Sequence, residues 1–339
     1  MTRRCEFVRL LGFACAGLLF AATSGMAEDR LRYRDASGSE IRERSGTLLD
    51  WTDGQIAFQV PGEGGGTLRL PAERIVDLEF DGSQAWAEGR TAFREGRWTE
   101  AYEQLDAAYR SEERPWAKLE IRALLIRCAT ALGRHPIACN GFRELIAADP
   151  STRHVAAIPL PWIRGAADPS WESAARTWLT GTSEWDRLLG AAWLLNGVAK
   201  PQARAALVDL TDSRDERIRY LARFQLLRDD VTKADAETLD AWNGEIELGP
   251  IELRSGPRWL VAEGRSRLAP GDDAALAYLR FALDRNPVEA WEAEGLLGAA
   301  RQLTTDHPDE ARRLVDELER RFPQSDATRL ARQLTIGTP

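Results

Sequence analysis

Residues 85–108 read AWAEGRTAFREGRWTEAYEQLDAA, from Ala85 to Ala108. Small residues recur at Gly89, Ala92, Gly96, Ala101 and Ala108, and large ones stand at Phe93, Trp98 and Leu105. Apolar positions three and four apart mark one face of a helix. Gly96 supplies the stop, because glycine tolerates the left-handed conformation that ends a helix. Trp98 then fills the turn, and Ala101 with Ala108 allows the next helix to approach closely. The stretch predicts a helical hairpin.

The pattern recurs. Gly133, His135, Ala138, Phe142, Leu145 and Pro150 repeat the spacing one hairpin later. Near the C-terminus, Ala275, Leu279, Ala282 and Pro287 mark another second helix, with Trp259 and Ala262 on the helix before it. Ala311, Val315, Leu318 and Pro323 mark one more. These residues resemble the tetratricopeptide repeat (TPR) family, whose period is about 34 residues. The ending Arg321-Phe322-Pro323-Gln324-Ser325-Asp326-Ala327, followed by Ala331, is similar to the repeats of bacterial envelope proteins. The resemblance covers 83–152 and 256–337. It implies a TPR-like α-solenoid of helical hairpins that binds a partner protein or peptide on its concave face. Mapped onto this chain, that face carries Trp86, Arg90, Phe93, Arg94, Arg127 and Thr130. Arginines beside aromatic rings suit a clamp on a carboxylate-bearing peptide. A solvated basic face is the plainer alternative.

Ahead of the helical pattern, residues 28–82 read as a small β module. Leu31–Tyr33, Gly46–Trp51, Gln55–Val60, Thr67–Leu70 and Ile75–Phe80 are short strand-like runs. Turn signals separate them at Ser37-Gly38, Asp53-Gly54, Pro61-Gly62 and Gly64-Gly65-Gly66. An SH3-like or Sm-like barrel that caps or docks fits this pattern. It lacks the aromatic and basic surface that stacking on RNA requires.

The first 27 residues read as an export signal. Arg3, Arg4 and Arg9 precede the apolar run LLGFACAGLLFAAT at 10–23, and Gly25-Met26-Ala27 offers small residues before a cut. The run is shorter than the roughly 20 residues of a spanning helix. Cleavage after Ala27 places the mature chain in a periplasm or outside the cell. An uncleaved leader would be the one membrane contact.

Between the two repeat regions, 153–255 is less regular. Pro159, Pro161 and Pro169 interrupt its start, and helical runs follow at Trp171–Leu179, Glu184–Leu195, Pro201–Leu210 and Asp215–Leu227. A degenerate continuation of the solenoid is the simplest organisation. The domain order is thus a leader (1–27), a β module (28–82), repeats (83–152), a degenerate helical region (153–255) and terminal repeats (256–339). Trp162, Trp171, Trp178, Trp185 and Trp193 crowd the middle. Helical spacing favours core packing for them, with an aromatic ligand groove as the alternative.

Composition narrows the function. Among 339 residues the net charge is −8, which disfavours a general nucleic-acid binder. Lys118, Lys200 and Lys233 are the only lysines among 45 basic residues, a bias that points to a GC-rich bacterial genome. His135, His154 and His307 lack a second ligand at metal spacing. Neither G-x-S-x-G nor the phosphate-loop pattern occurs. Gly62-Glu63-Gly64-Gly65-Gly66 joins two strands and opens no helix, so it reads as a hairpin loop. No cofactor, metal or catalytic set is expected.

Cys128 and Cys139 are the cysteines left after cleavage. They share a level across the second hairpin, next to Ala129 and Ala138, which makes them a candidate disulfide in an oxidising compartment. Two buried thiols are the alternative. The functional expectation is an exported, non-enzymatic scaffold or adaptor that binds an envelope protein or peptide. Carbohydrate or peptidoglycan binding is the second reading, and a hydrolase with an unannounced acid pair is the third.

Overall fold

The computed structural model describes residues 29–52, 54–62, 65–162, 169–283 and 289–336. The expected leader and its cleavage point lie outside them. Five strands form one antiparallel sheet: β1 (Asp29–Arg34), β2 (Ile41–Thr52), β3 (Gln55–Gln59), β4 (Thr67–Pro71) and β5 (Ile75–Glu79), in the order β4-β3-β2-β1-β5. Strand β2 is longer than its apolar run suggests. Its first half, through Gly46, pairs with β1, and its second half, from Thr47, pairs with β3. Gly46 sits where the strand changes partners. A Cβ there would lie 2.1 Å from the carbonyl oxygen of Gln59, so only glycine lets the two backbones approach. β4 and β5 are the sheet's edges.

The sheet shares its core with the first helices. Leu31, Leu48, Phe58 and Leu70 join Trp86, Leu105, Trp116 and Ile121 in one buried cluster. Phe80, just past β5, stacks on Trp86 at 4.5 Å and meets Trp116 edge-on at 5.0 Å. Asp29 ties the ends of the sheet together. Its carboxylate accepts from the backbone N–H of Leu48 at 2.6 Å and of Asp81 at 2.9 Å.

The rest of the described chain is helical. Two hairpins open the array: α1 (Gln84–Arg94) with α2 (Trp98–Ser111), and α3 (Pro115–Ala131) with α4 (His135–Ala148). Their turns have matching geometry. Gly96 and Gly133 adopt φ of 71° and 69°. Behind each, an arginine N–H reaches back to an alanine carbonyl, Arg97 to Ala92 at 2.9 Å and Arg134 to Ala129 at 2.8 Å. Such caps satisfy carbonyls that a helix end leaves without partners. Ala101, Leu105, Ala108, Ala138, Phe142 and Leu145 are all buried. A Cβ at Gly89 would sit 2.9 Å from Leu105 Cγ, which fixes the close crossing of α1 and α2.

An irregular strap at 149–162 follows, and then eight helices: α5 (Pro169–Leu179), α6 (Glu184–Leu194), α7 (Lys200–Leu210), α8 (Glu216–Asp230), α9 (Ala236–Leu248), α10 (Ser255–Leu268), α11 (Asp272–Leu283) and α12 (Glu289–Leu303), with α5 to α8 and α9 to α12 each packing on the next in sequence. α13 (Pro308–Arg321) and the short α14 (Asp326–Ala331) close the chain. The start of α14 returns to the first hairpin: a Cβ on Gly96 would be 3.7 Å from the Cα of Ser325. No described helix is long and apolar enough to cross a membrane.

Cys128 and Cys139 are both free thiols, not a disulfide. Cys128 belongs to the core beneath the sheet, whereas Cys139 belongs to the core built with α5 to α9. The shared level across the hairpin does not fix how each helix is rotated. α3 packs against α2 as well as α4, and α4 also contacts α6, so the two thiols turn into different cores. Burial pushes each thiol up to about 12.

Candidate functional site

The six residues expected to form a concave clamp do not form one surface. Trp86 and Phe93 are buried, against Phe80 and Trp98 respectively. The cover comes from Phe80, just past the β module, for Trp86 and from Trp98 of the same hairpin for Phe93. Arg90 lies over the Trp86 ring at 5.3 Å, and Arg94 is exposed. Arg127 and Thr130 instead line a cavity of about 220 Å³ with Trp98, Trp291, Glu294 and Ser325. Thr130 Oγ1 donates to the Ile126 carbonyl at 2.8 Å.

A larger cavity, about 450 Å³, adjoins it and shares Thr130, Trp291 and Glu294. Its walls come from elements far apart in the sequence. α5 and α6 bring Trp171 and Trp193, α10 and α11 bring Trp259 and Phe281, and α12 brings Trp291 and Glu294. The strap adds Leu160, Pro161 and Trp162. Five tryptophans thus face one space, a density typical of pockets that bind flat or apolar groups.

Each wall is held from behind. Trp171 and Trp193 meet at 4.6 Å, and His135 packs against both, at 4.4 and 4.6 Å. Trp193 Nε1 donates to the Pro159 carbonyl at 3.1 Å. Arg228, on α8, donates to the carbonyls of Pro161 and of Ala192, the latter at 2.7 Å. The strap is therefore fastened to α6 and α8. On the opposite wall Trp259 contacts Tyr278 at 5.4 Å and Phe281 at 5.2 Å, and Phe281 is 5.9 Å from Trp291. Gly256 gives Trp162 its room, since a Cβ there would fall 2.0 Å from Trp162 Cε2.

The polar inventory is small. Glu294 is the one carboxylate among the described lining residues. Burial raises its carboxyl above the usual range, Arg301 opposes that rise, and Asp326 adds to it. Burial also lowers the His135 imidazole below its usual value, which keeps it neutral at neutral pH. His135 Nδ1 and Trp259 Nε1 are buried without hydrogen-bond partners. Asn196 and Thr130 complete the polar lining.

The repeat spacing gives His135 the turn position that Trp98 fills in the first hairpin. It does open α4, but its ring serves the pocket wall. Of the five crowded tryptophans, Trp178 and Trp185 are core residues, while Trp162, Trp171 and Trp193 line the pocket. Their density was the available signal. Trp259, Phe281, Trp291 and Glu294 carried none, because only the return of the C-terminal helices brings them near. The other histidines make single contacts: His154 Nε2 with Glu120 at 3.5 Å, His307 Nε2 with Asp272 at 3.0 Å. No group of three potential metal ligands occurs among the described residues. No protein-family model matches the chain, and neither a curated protein nor a solved structure is significantly similar to it.

Proposed function

We propose that this chain is a non-enzymatic binding protein of the bacterial envelope, a scaffold of TPR-like helical hairpins whose ligand is held in the tryptophan-walled pocket. The observation that carries the reading is the convergence of Trp162, Trp171, Trp193, Trp259 and Trp291 on one cavity of about 450 Å³. Rings of this size belong in a core unless a binding site occupies the space between them. The export signal read at residues 3–27 supports the location. The hydrolase reading is weaker, because two-carboxylate chemistry needs a second acid and Glu294 stands alone among the described lining residues. Sugar binding also fits stacking on tryptophan, but a sugar's hydroxyls call for more polar partners than this lining offers.

The experiment is a titration of the purified chain with N-phenyl-1-naphthylamine, a neutral fluorescent probe of apolar pockets. Saturable binding near one probe per chain is expected. Trp171→Ala and Trp291→Ala should each weaken it at least fivefold, and Trp51→Ala, on the sheet, should not. Absence of saturable binding in a fully folded sample would remove the reading.

An adaptor that ignores the pocket is favoured by one separate observation. α9, α10 and α11 border a groove of about 670 Å³ in which Leu276 and Leu283 are exposed beside Arg258, Arg265 and Arg280. If the partner docks there, Leu276→Glu with Leu283→Glu will abolish in-cell cross-linking to an envelope protein and leave probe binding intact.

A further inference from the structure

We infer that the group seated in the tryptophan pocket is a cation of the quaternary-ammonium class, held between the indole faces and the Glu294 carboxylate. This deepens the proposed function and rests on the pocket being the binding site.

The argument begins with the rings. The face of an indole is electron-rich, and a cation within about 6 Å of its centre is attracted to it, most strongly where water is excluded. Here five indoles and Phe281 line one space. An anion would meet those same faces unfavourably, and it would meet Glu294 as a like charge. Glu294 supplies the second half of the argument. Glu294 is half-buried in the lining, which strips its carboxylate of part of its hydration. A bound cation would neutralise it in place.

The form of the cation follows from the missing acceptors. A primary ammonium carries three donors and is strongly hydrated, so it must exchange its water for several aimed acceptors. The pocket is poor in them. Trp193 Nε1 and the Arg228 guanidinium already occupy the carbonyls of Pro159 and Pro161. A quaternary ammonium has no N–H to satisfy, and its methyl groups rest on rings. The cavity volume also leaves room for an attached chain or group beyond the head.

The test uses choline, its equally sized neutral carbon isostere 3,3-dimethyl-1-butanol, and ethanolamine, a smaller primary ammonium with the same hydroxyethyl arm. Each is titrated by calorimetry and by indole fluorescence against the folded chain. Choline is expected to bind at least tenfold more tightly than the isostere, with ethanolamine weaker than choline. Glu294→Gln should cut the choline preference to within threefold. Trp171→Leu should weaken choline binding and keep the helical melt. Equal affinity for choline and the isostere would overturn the cation, and tighter ethanolamine would overturn its quaternary form. If choline fails while the naphthylamine probe saturates, this inference falls and the pocket remains a binding site. If both fail, the proposed function falls with it.

Discussion

Arg228 Nη2 donates to the carbonyl of Ala192 at 2.7 Å from a side chain that is 1% exposed. The same guanidinium reaches the carbonyl of Pro161. Two backbone acceptors on different elements, α6 and the strap, are therefore satisfied by one planar donor. Pro161 and Trp162 can serve as pocket wall because that donor holds them against the helices. Arg228→Met removes both bonds and takes this donor from a buried carbonyl at Ala192 and a part-buried one at Pro161. A loss of roughly 2–4 kcal/mol is expected in urea unfolding, together with weaker probe binding. Arg228→Lys should recover only part of it, since an ammonium lacks the fork that spans two acceptors. Full recovery by lysine would show that the fork is not what fastens the strap.

Gly256 and Gly244 form a matched pair for testing the Trp162 wall. A methyl at Gly256 meets the indole at 2.0 Å, whereas one at Gly244 has nothing within 4 Å. Gly256→Ala should cost about 1–3 kcal/mol and displace Trp162, seen as a change in probe affinity. Gly244→Ala, within α9, should stabilise by about 0.5–1 kcal/mol and leave the probe unaffected. Equal melts for the two variants would show that Trp162 yields freely.

Much of the fold can be read from local chemistry. Gly96, Trp98, Ala101 and Ala108 announce the first hairpin because a tight turn and a close crossing each demand particular residue sizes. Strand positions followed the turn signals, except that β2 starts at Ile41 rather than Gly46. Residues 41–45, IRERS, are charged and exposed, so hydrophobic alternation is silent there. The clamp failed because the sheet's partner surface is not encoded in a hairpin's own repeat pattern: Phe80 covers Trp86 from outside the repeat. The pocket was half legible. Three of its tryptophans stand close in sequence, but Glu294 and Trp291 reach them only through the long-range return of α10 to α12.

Cys128 and Cys139 should be unreactive in the folded chain. Burial raises both thiols to about 12, leaving almost no thiolate at neutral pH, and the thiolate is the reactive form. In a chain cleaved after Ala27, a thiol reagent such as 5,5′-dithiobis(2-nitrobenzoate) should find two thiols in guanidinium and essentially none under native conditions. A reductant should leave the melting temperature unchanged. A downward shift with reductant would reveal the disulfide that the two separate cores argue against.

Glu294 should cost the empty protein stability, as groups kept for binding often do. Its carboxyl is raised in the folded state, mainly by burial, with Arg301 lowering and Asp326 raising it further. The folded chain therefore binds this proton more tightly than the unfolded chain does. Stability from this group is gained as pH falls toward and through the folded value, and it is lost at neutral pH, where the half-buried carboxyl must ionise. Glu294→Gln, neutral throughout, should melt on the order of 2 °C higher than the parent at pH 7. The gap should narrow steadily as pH is lowered toward 4. His135 faces the same pocket and its own charging destabilises in acid, but it is present in both proteins and cancels in the comparison. A gap that is absent at pH 7, or that widens in acid, would mean that Glu294 has a stabilising partner in the folded chain and is not held in reserve for a cation.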